Sequence, residues 1–476
     1  MASVWESLTE SLSAGEKNSL REALELALPS LPPDPRTSGR ILLELDGLTA
    51  ELDLTLGRQI DAILHHRDFQ EAEKTWRSLK FLTDRTDSRE NVEIYILDAS
   101  KEDLGQDLAE APEITRTSIF RVVYSLEYGQ FGGQPYGALI GAYELGCLPE
   151  DLALMRGLSC LGAMAHAPFL VSAGAGFFGL DSWGELTAVQ DLEAILSQNR
   201  YAAWQSMRTQ ENSRYLALIL PAFLGRIPYS PQSGQWPGSN YSERADSDEV
   251  LVWGYSSVLL GLLLAQSFAR YRWCANITGL DGGGLIEGLT GWAYESMGRV
   301  QSRIPLAARI SEKLEQQLAG SGFIAVSLRD NPNQAAVYSA PTVLAPKTYA
   351  ADRGGDEASF NFLVSTILPY MMIVNRLAHY IKVIQRENIG SWKDRGVIEK
   401  ELNLWLNQYV TDMDSPSPDI RGKRPLRQAR VEVTDLPDVP GWRQMALYIR
   451  PHLTFMGTSF MLSLVGRLDE VDFDLT

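Results

Sequence analysis

Residues 149–173, PEDLALMRGLSCLGAMAHAPFLVSA, read as a helix over Pro149–Ala165, a short turn, and a buried strand over Phe169–Ala173. The same alternation extends in both directions. Upstream, Val92–Leu97 reads as a strand, Ile114–Tyr128 as a helix and Tyr136–Tyr143 as a strand. Downstream come Glu185–Arg200 (helix), Tyr215–Leu220 (strand), Glu249–Tyr271 (helix) and Cys274–Thr278 (strand). Alternation of this kind predicts an α/β layer around a largely buried sheet.

Beyond Ser321 the pattern shifts towards α+β. Phe323–Leu328 and Ala335–Ser339 flank Asp330-Asn331-Pro332-Asn333, which is turn chemistry and predicts a hairpin. A long helix is expected from Glu357 to about Arg386, kinked at Pro369, with a second over Trp392–Val410. Arg427–Val433, Met445–Ile449 and Ser463–Leu468 read as late strands. Near the other end, Leu20, Ala23, Leu24, Ala27 and Leu28 recur at helical spacing, and the proline run Pro29–Pro35 then ends that helix. Ile41–Leu45 with Leu52, Leu54 and Leu56 is leucine-rich but assignable to neither class. Phe69, Ala72, Trp76 and Leu79 form an apolar helical stripe, which leaves Glu71, Glu73, Lys74, Arg77 and Lys80 outside. These boundaries predict an arm over 1–57, a main α/β domain over 58–350 and a C-terminal domain over 351–476, divided at the loop Lys347–Asp356.

A 476-residue chain with 45% hydrophobic residues can bury a substantial core. Its formal charge of −17 repels phosphate, which argues against nucleic acid and anionic membrane as partners. Cys147, Cys160 and Cys274 are odd in number and form no CxxC pair, as expected of buried reduced thiols in the cytosol. The first residues lack the pattern of a secretory signal, and Leu251–Ala269, though apolar, carries serines and acidic residues at its entry, so a core helix is expected there.

Chemistry finds little foothold. Gly174–Gly179 is a literal G-x-G-x-x-G, but two phenylalanines fill its variable positions, and a better helix start follows at Ser182-Trp183-Gly184-Glu185, which has the form of a capping box. Asp281–Gly284 lacks the Gly-Lys-Ser/Thr ending of a phosphate loop. The five histidines are adjacent (His65, His66) or scattered, and no G-x-S-x-G elbow occurs. No enzyme, cofactor or metal is expected.

Six collinear blocks resemble the large sheath subunit of type VI secretion, the TssC/VipB (EvpB) family. They are FQEAEKTWRSLKFLTDRTD (69–87), YGQFGGQPYGALIGAYEL (128–145), AHAPFLVSAGAGFFGLDSWGEL (165–186), YLALILPAFLGRIPYSP (215–231), WCANITGLDGGGLIEGL (273–289) and YAADRGGDEASFNFLVSTILPYMMIVNRLAHYIKVIQRENIGSW (349–392). The resemblance implies the sheath fold of contractile phage tails with extended arms, a small partner subunit (TssB/VipA), and heterodimers assembled in six-start helical rings around an Hcp tube on a baseplate. It also implies contraction that drives the tube into a target cell, and disassembly by the AAA+ ATPase ClpV through the N-terminal region. A phage or pyocin-like sheath protein is the alternative. On this reading Leu20, Leu24 and Leu28 are the expected ATPase handle, and Leu45, Leu52 and Leu56 bury against the small subunit. Leu464 and Val465 lie on a strand expected to pair between subunits, with Arg427–Val433 as a second candidate.

Overall fold

The computed structural model describes residues 38–467 except 131, 232–239, 246, 297–298, 332, 348–358, 360–361, 388–394, 412, 414–415, 436–442 and 453–461. By contact the chain forms two compact units, Met1–Gln70 with Pro228–Val250, and Glu71–Ile227 with Leu251–Thr476.

The smaller unit is built on helix α1 (Ser38–Leu64), which runs unbroken through the boundary expected at 57/58 and takes in the unassigned leucine-rich stretch. Asp53, Gly57, Asp61 and His65 follow one another at four-residue spacing on one face of this helix and meet the returning segment. Tyr241 donates its hydroxyl to Asp61 Oδ1 at 2.6 Å, and its ring lies 3.6 Å from where a Cβ on Gly57 would stand. The carboxylate of Glu243, itself buried, accepts from His65 Nε2 at 3.2 Å and from the Tyr229 amide at 2.9 Å.

The larger unit contains a six-stranded sheet. Its strands are β1 (Leu139–Leu145), β2 (Phe169–Ala173), β3 (Leu216–Leu220), β6 (Leu285–Ile286), β9 (Phe323–Leu328) and β10 (Ala335–Val337), with two short ribbons, β4–β5 (Phe223–Leu224, Trp253–Gly254) and β7–β8 (Trp292–Ser296, Arg299–Arg303), formed apart from it. The order is β1-β2-β3-β9-β10-β6, with the first four parallel and the β9–β10 hairpin antiparallel, as its turn residues require. The middle strands are buried on both faces, and alternate residues face opposite cores. Phe169, Val171, Leu216, Leu218, Phe323 and Ala325 join one core, and Leu170, Ala217, Ile219, Ile324 and Val326 join the other.

Helices cover both faces. After α2 (Arg67–Arg85) and α3 (Lys101–Glu110), helix α4 (Pro149–Ala165) lines the first core. Pro149 starts α4 where no intrahelical donor is missed, and His166 ends it at φ 53°. Helix α5 (Ser257–Tyr271) lines the second core and is the expected core helix, shorter than the Glu249–Tyr271 span read for it. Its serines tie it to the sheet, Ser256 Oγ donating to Ile219 O and Ser257 Oγ to Gly141 O, both at 2.8 Å. Among the described residues no helix is long and apolar enough to cross a membrane.

After α6 (Glu312–Gly320), helices α7 (Leu368–Glu387) and α8 (Arg395–Asn407) pack on a three-stranded antiparallel sheet, β11 (Leu426–Asp435), β12 (Arg443–Pro451) and β13 (Leu462–Arg467), forming a third core. Arg208 ties the end of α6 to the chain after β10. Its guanidinium, buried without a carboxylate and brought down to about 10 by that burial, donates to Gly320 O (2.9 Å) and Val343 O (3.2 Å).

Several expectations fail for local reasons. Pro369 does not kink a long helix. The chain turns at Thr366, bridges at Ile367 to Pro341, and restarts a helix at Leu368 with proline in its first turn, where a missing amide costs nothing. Glu185–Arg200 is a series of short turns (Trp183–Leu186, Leu192–Leu196, Asn199–Tyr201), and Ser182 makes no side-chain cap. Cys274–Thr278 forms no ladder; the Asn276 amide donates instead to Ser267 Oγ. Val92–Leu97 forms neither helix nor strand and, among the described residues, pairs with none, and Ile94, Tyr95, Ile96 and Leu97 are exposed. Helix α2 is present, with Glu71 and Lys80 exposed as expected and Leu79 half-buried, but the rest of its stripe is not covered. Phe69, Ala72 and Trp76 point outwards, while Glu73 turns in to Arg226 (2.7 Å) and Arg77 (3.2 Å), and Lys74 to Glu144 (2.5 Å). Charges so paired and bonded tolerate a position that lone charges would not. The three cysteines are free, and half-buried rather than fully buried.

His379, on α7, donates from Nε2 to Ala165 O at 3.0 Å, since a carbonyl can only accept. Burial, with Lys382 and Arg376 nearby, brings its pKa down to about 4, and burial also holds His166, 6.2 Å away ring to ring, well below the usual range. An unfolded histidine titrates near 6.5, so between pH 6.5 and about 4 only the unfolded chain takes up this proton. Stability is therefore full above pH 6.5 and falls as the pH drops towards 4. The His379 share is about 2 kcal/mol between pH 7 and pH 5. Urea unfolding at the two pH values should show His379→Gln, which keeps a donor and cannot titrate, losing correspondingly less than wild type.

Candidate assembly surfaces

The glycine motif is a packing device. Ala175–Phe178 forms a tight turn that drives Phe177 and Phe178 into the core, with Phe177 5.0 Å from Trp204 and 5.1 Å from Phe323, ring to ring. Gly179, at φ +72°, takes a conformation few side chains adopt, and the Arg200 guanidinium lies against it. The helix that follows has four residues, too short to cradle a pyrophosphate.

The surface, by contrast, is rich in unburied apolar side chains. On α1, Leu52, Leu56 and Ile63 are each more than half exposed. At 100° per residue they share one stripe with Leu45, turned away from the face that Tyr241 and Glu243 cover. Leu45 falls in register with this stripe, though its side chain lies outside the described residues, and Ile63 is a member that the leucine count missed. Seven-residue spacing from Leu56 would have found it. On α2, Trp76 stands 67% exposed. Leu20, Leu24 and Leu28 lie outside the described residues.

The C-terminal sheet has two edges of unlike character. The outer edge of β11 is already used. The Asn403 side chain bonds both the amide and the carbonyl of Val431 at 2.9 Å, and Val410 bridges to Leu426. The outer edge of β11 is thus engaged by its own chain at Leu426 and Val431. β13 pairs with β12 through Leu464↔Leu447 and Val465↔Ala446, and among the described residues nothing pairs with its other edge. An open edge is a template for another strand.

These features are those of a subunit built to be covered by neighbours, and comparison with known proteins agrees. Residues 46–344 match the family VipB (EvpB/VC_A0108, tail sheath N-terminal domain), and residues 357–468 match VipB_2 (EvpB/VC_A0108, tail sheath gpW/gp25-like domain). Both describe the sheath of a contractile tail. A curated relative, the type VI secretion system sheath protein TssC1 of Pseudomonas aeruginosa strain PAO1, is 32% identical over 459 residues, covering 94% of this chain and 91% of its own length. The chain belongs to the VipB/EvpB tail sheath family, the large sheath subunits of type VI secretion. Among solved structures, a chain of the anti-feeding prophage baseplate aligns at TM-score 0.36 and 9% identity over 81% of this chain and 82% of its own, too distant to argue from. The sheath tail protein DSY3957 of Desulfitobacterium hafniense aligns at TM-score 0.26 and 11% identity over 54% and 46%.

Proposed function

We propose that this chain acts in the bacterial cytoplasm as a non-catalytic sheath subunit that pairs with a small sheath subunit of the TssB/VipA kind. The heterodimers polymerise helically around an Hcp tube on a baseplate and contract to propel it. The observation that carries the reading is the leucine stripe of α1, because exposed leucines along a whole helix face are costly in a chain that stays alone. An arm before residue 58, a body to 350 and a C-terminal domain from 351 divide the work between partner contacts, sheath body and inter-subunit pairing. Co-expression with the small subunit, examined by negative-stain microscopy, should give striated hollow cylinders. Dispersed, non-polymerising protein would refute the reading.

Recycling falls to a ClpV-type ATPase gripping Leu20, Leu24 and Leu28. Alanine at all three should leave assembly and contraction intact while contracted sheaths persist in cells. Normal disassembly of fluorescent sheaths would exclude that handle.

A further inference from the structure

Val92–Leu97 carries a β-branched and aromatic pattern, yet no strand among the described residues pairs with it. Among the described residues, the main chain of Val92–Asp98 takes part in no hydrogen bond. Both side-chain faces are open as well. Ile94, Tyr95, Ile96 and Leu97 are all exposed, the Tyr95 ring meeting the edge of Tyr136 at 5.9 Å and its hydroxyl donating to Glu93 Oε2 at 2.5 Å. The ends, however, are held. Asn91 turns the chain at φ 59°, Arg272 binds the carbonyl (2.5 Å) and carboxylate (2.6 Å) of Glu90, and Ser100 with Asp103 forms the capping box that opens α3. A six-residue ribbon held at both ends has less conformational entropy to lose on pairing than a free one.

We infer that Val92–Leu97 is a strand of an inter-chain sheet, completed in the heterodimer by an open strand edge of the small sheath subunit. This rests on the pairing proposed above and assigns it a place. A single peptide would satisfy the amides but leave one or both side-chain faces wet, so the occupant is a folded domain that brings a sheet edge and apolar cover. Glu93 within the segment and Asp98 and Glu102 just beyond it are not ion-paired among the described residues, though Glu93 accepts from the Tyr95 hydroxyl, so basic residues on the partner edge would complement them. A second copy of this chain brings the same acidic flanks and the same charge of −17.

Hydrogen exchange on the purified heterodimer tests this. Alternate amides of Val92–Leu97, those facing the partner edge, should exchange about tenfold or more slower than an unstructured chain, because they lie in a ladder. Exchange at unstructured rates in a heterodimer that does form overturns the assignment while leaving pairing intact. Protection that arises only on polymerisation points to a second copy and also overturns it. If wild-type chains form no heterodimer, pairing and assignment fall together. As a second arm, Ile96→Pro or Leu97→Pro should abolish co-purification with the small subunit, since adjacent amides point to opposite sides of a strand. Ile96→Val, which keeps the amide and the shape, should co-purify normally. Co-purification of both proline variants contradicts the inference.

Discussion

Leu464→Pro and Val465→Pro should each yield a heterodimer that is folded and soluble but assembles no sheath. β13 is bonded to β12 on one side and open on the other, and successive amides of a strand face opposite sides. One of the two prolines therefore removes a donor from the open edge, and the other cuts the internal ladder and loosens the strand that bears that edge. One hydrogen bond is worth about 1 kcal/mol net, a modest loss for one contact. In a helical lattice the loss recurs at every subunit, so the expected effect is absence of cylinders by microscopy rather than fewer of them. Asp472→Pro, beyond the strand, is the control and should assemble normally. Full-length contractile sheaths from both strand variants would rule out β13 as the inter-subunit strand, with Arg427–Val433 the next candidate although Asn403 already engages its Val431.

Replacing Leu45, Leu52 and Leu56 together by Asp should abolish pairing with the small subunit in pull-downs. Burying a leucine is worth about 1.5–3 kcal/mol, so three lost together exceed what most interfaces can spare. The substitution is harmless to the chain's own packing at the two positions whose side chains are described, because Leu52 and Leu56 touch water. That separates this test from a core mutation, where insolubility would say nothing of partners. Normal co-purification of the triple variant would exclude the stripe. Adding Ile63→Asp, on the same stripe, should deepen the defect, and a shift in elution volume with the small subunit present would measure it.

The core was easier to read than the surface. Phe169–Ala173 and Pro149–Ala165 lie where their patterns put them, because both sides of that strand and one side of that helix are buried by the same chain. The failures cluster where the chain leaves apolar side chains exposed. Val92–Leu97 has the composition of a strand without a ladder, because propensity reports a side chain's fit to a sheet and not whose sheet it is. In α2, periodicity found the apolar stripe at Phe69, Ala72 and Trp76 correctly but assigned it to the interior, whereas ion pairs with Arg226 and Glu144 fill that side. Along α1 the leucines blur the period, since Leu54 lies off the stripe of Leu52 and Leu56 yet is exposed like them. The early break at Thr366 was hidden by Pro369, which fits a helix start as well as a kink. The candidate site was legible as Leu45, Leu52 and Leu56, expected to face a partner; Leu52 and Leu56 are exposed, and Ile63, a β-branched residue outside the leucine count, was missed.

The attachment of β13 also has a mechanical sense. It meets the rest of the chain through six residue pairs with β12, Gln444↔Arg467 to Ile449↔Leu462, and the bonds of an antiparallel ladder lie across the strands. Tension along β13 therefore loads all its rungs together in shear, while a sideways pull opens them one after another from an end. Such a joint is stiff along one axis and compliant about the others, like a strap rather than a bolt. A neighbour gripping β13 could swing through a wide angle without the connection parting, provided that the pull stayed along the strand.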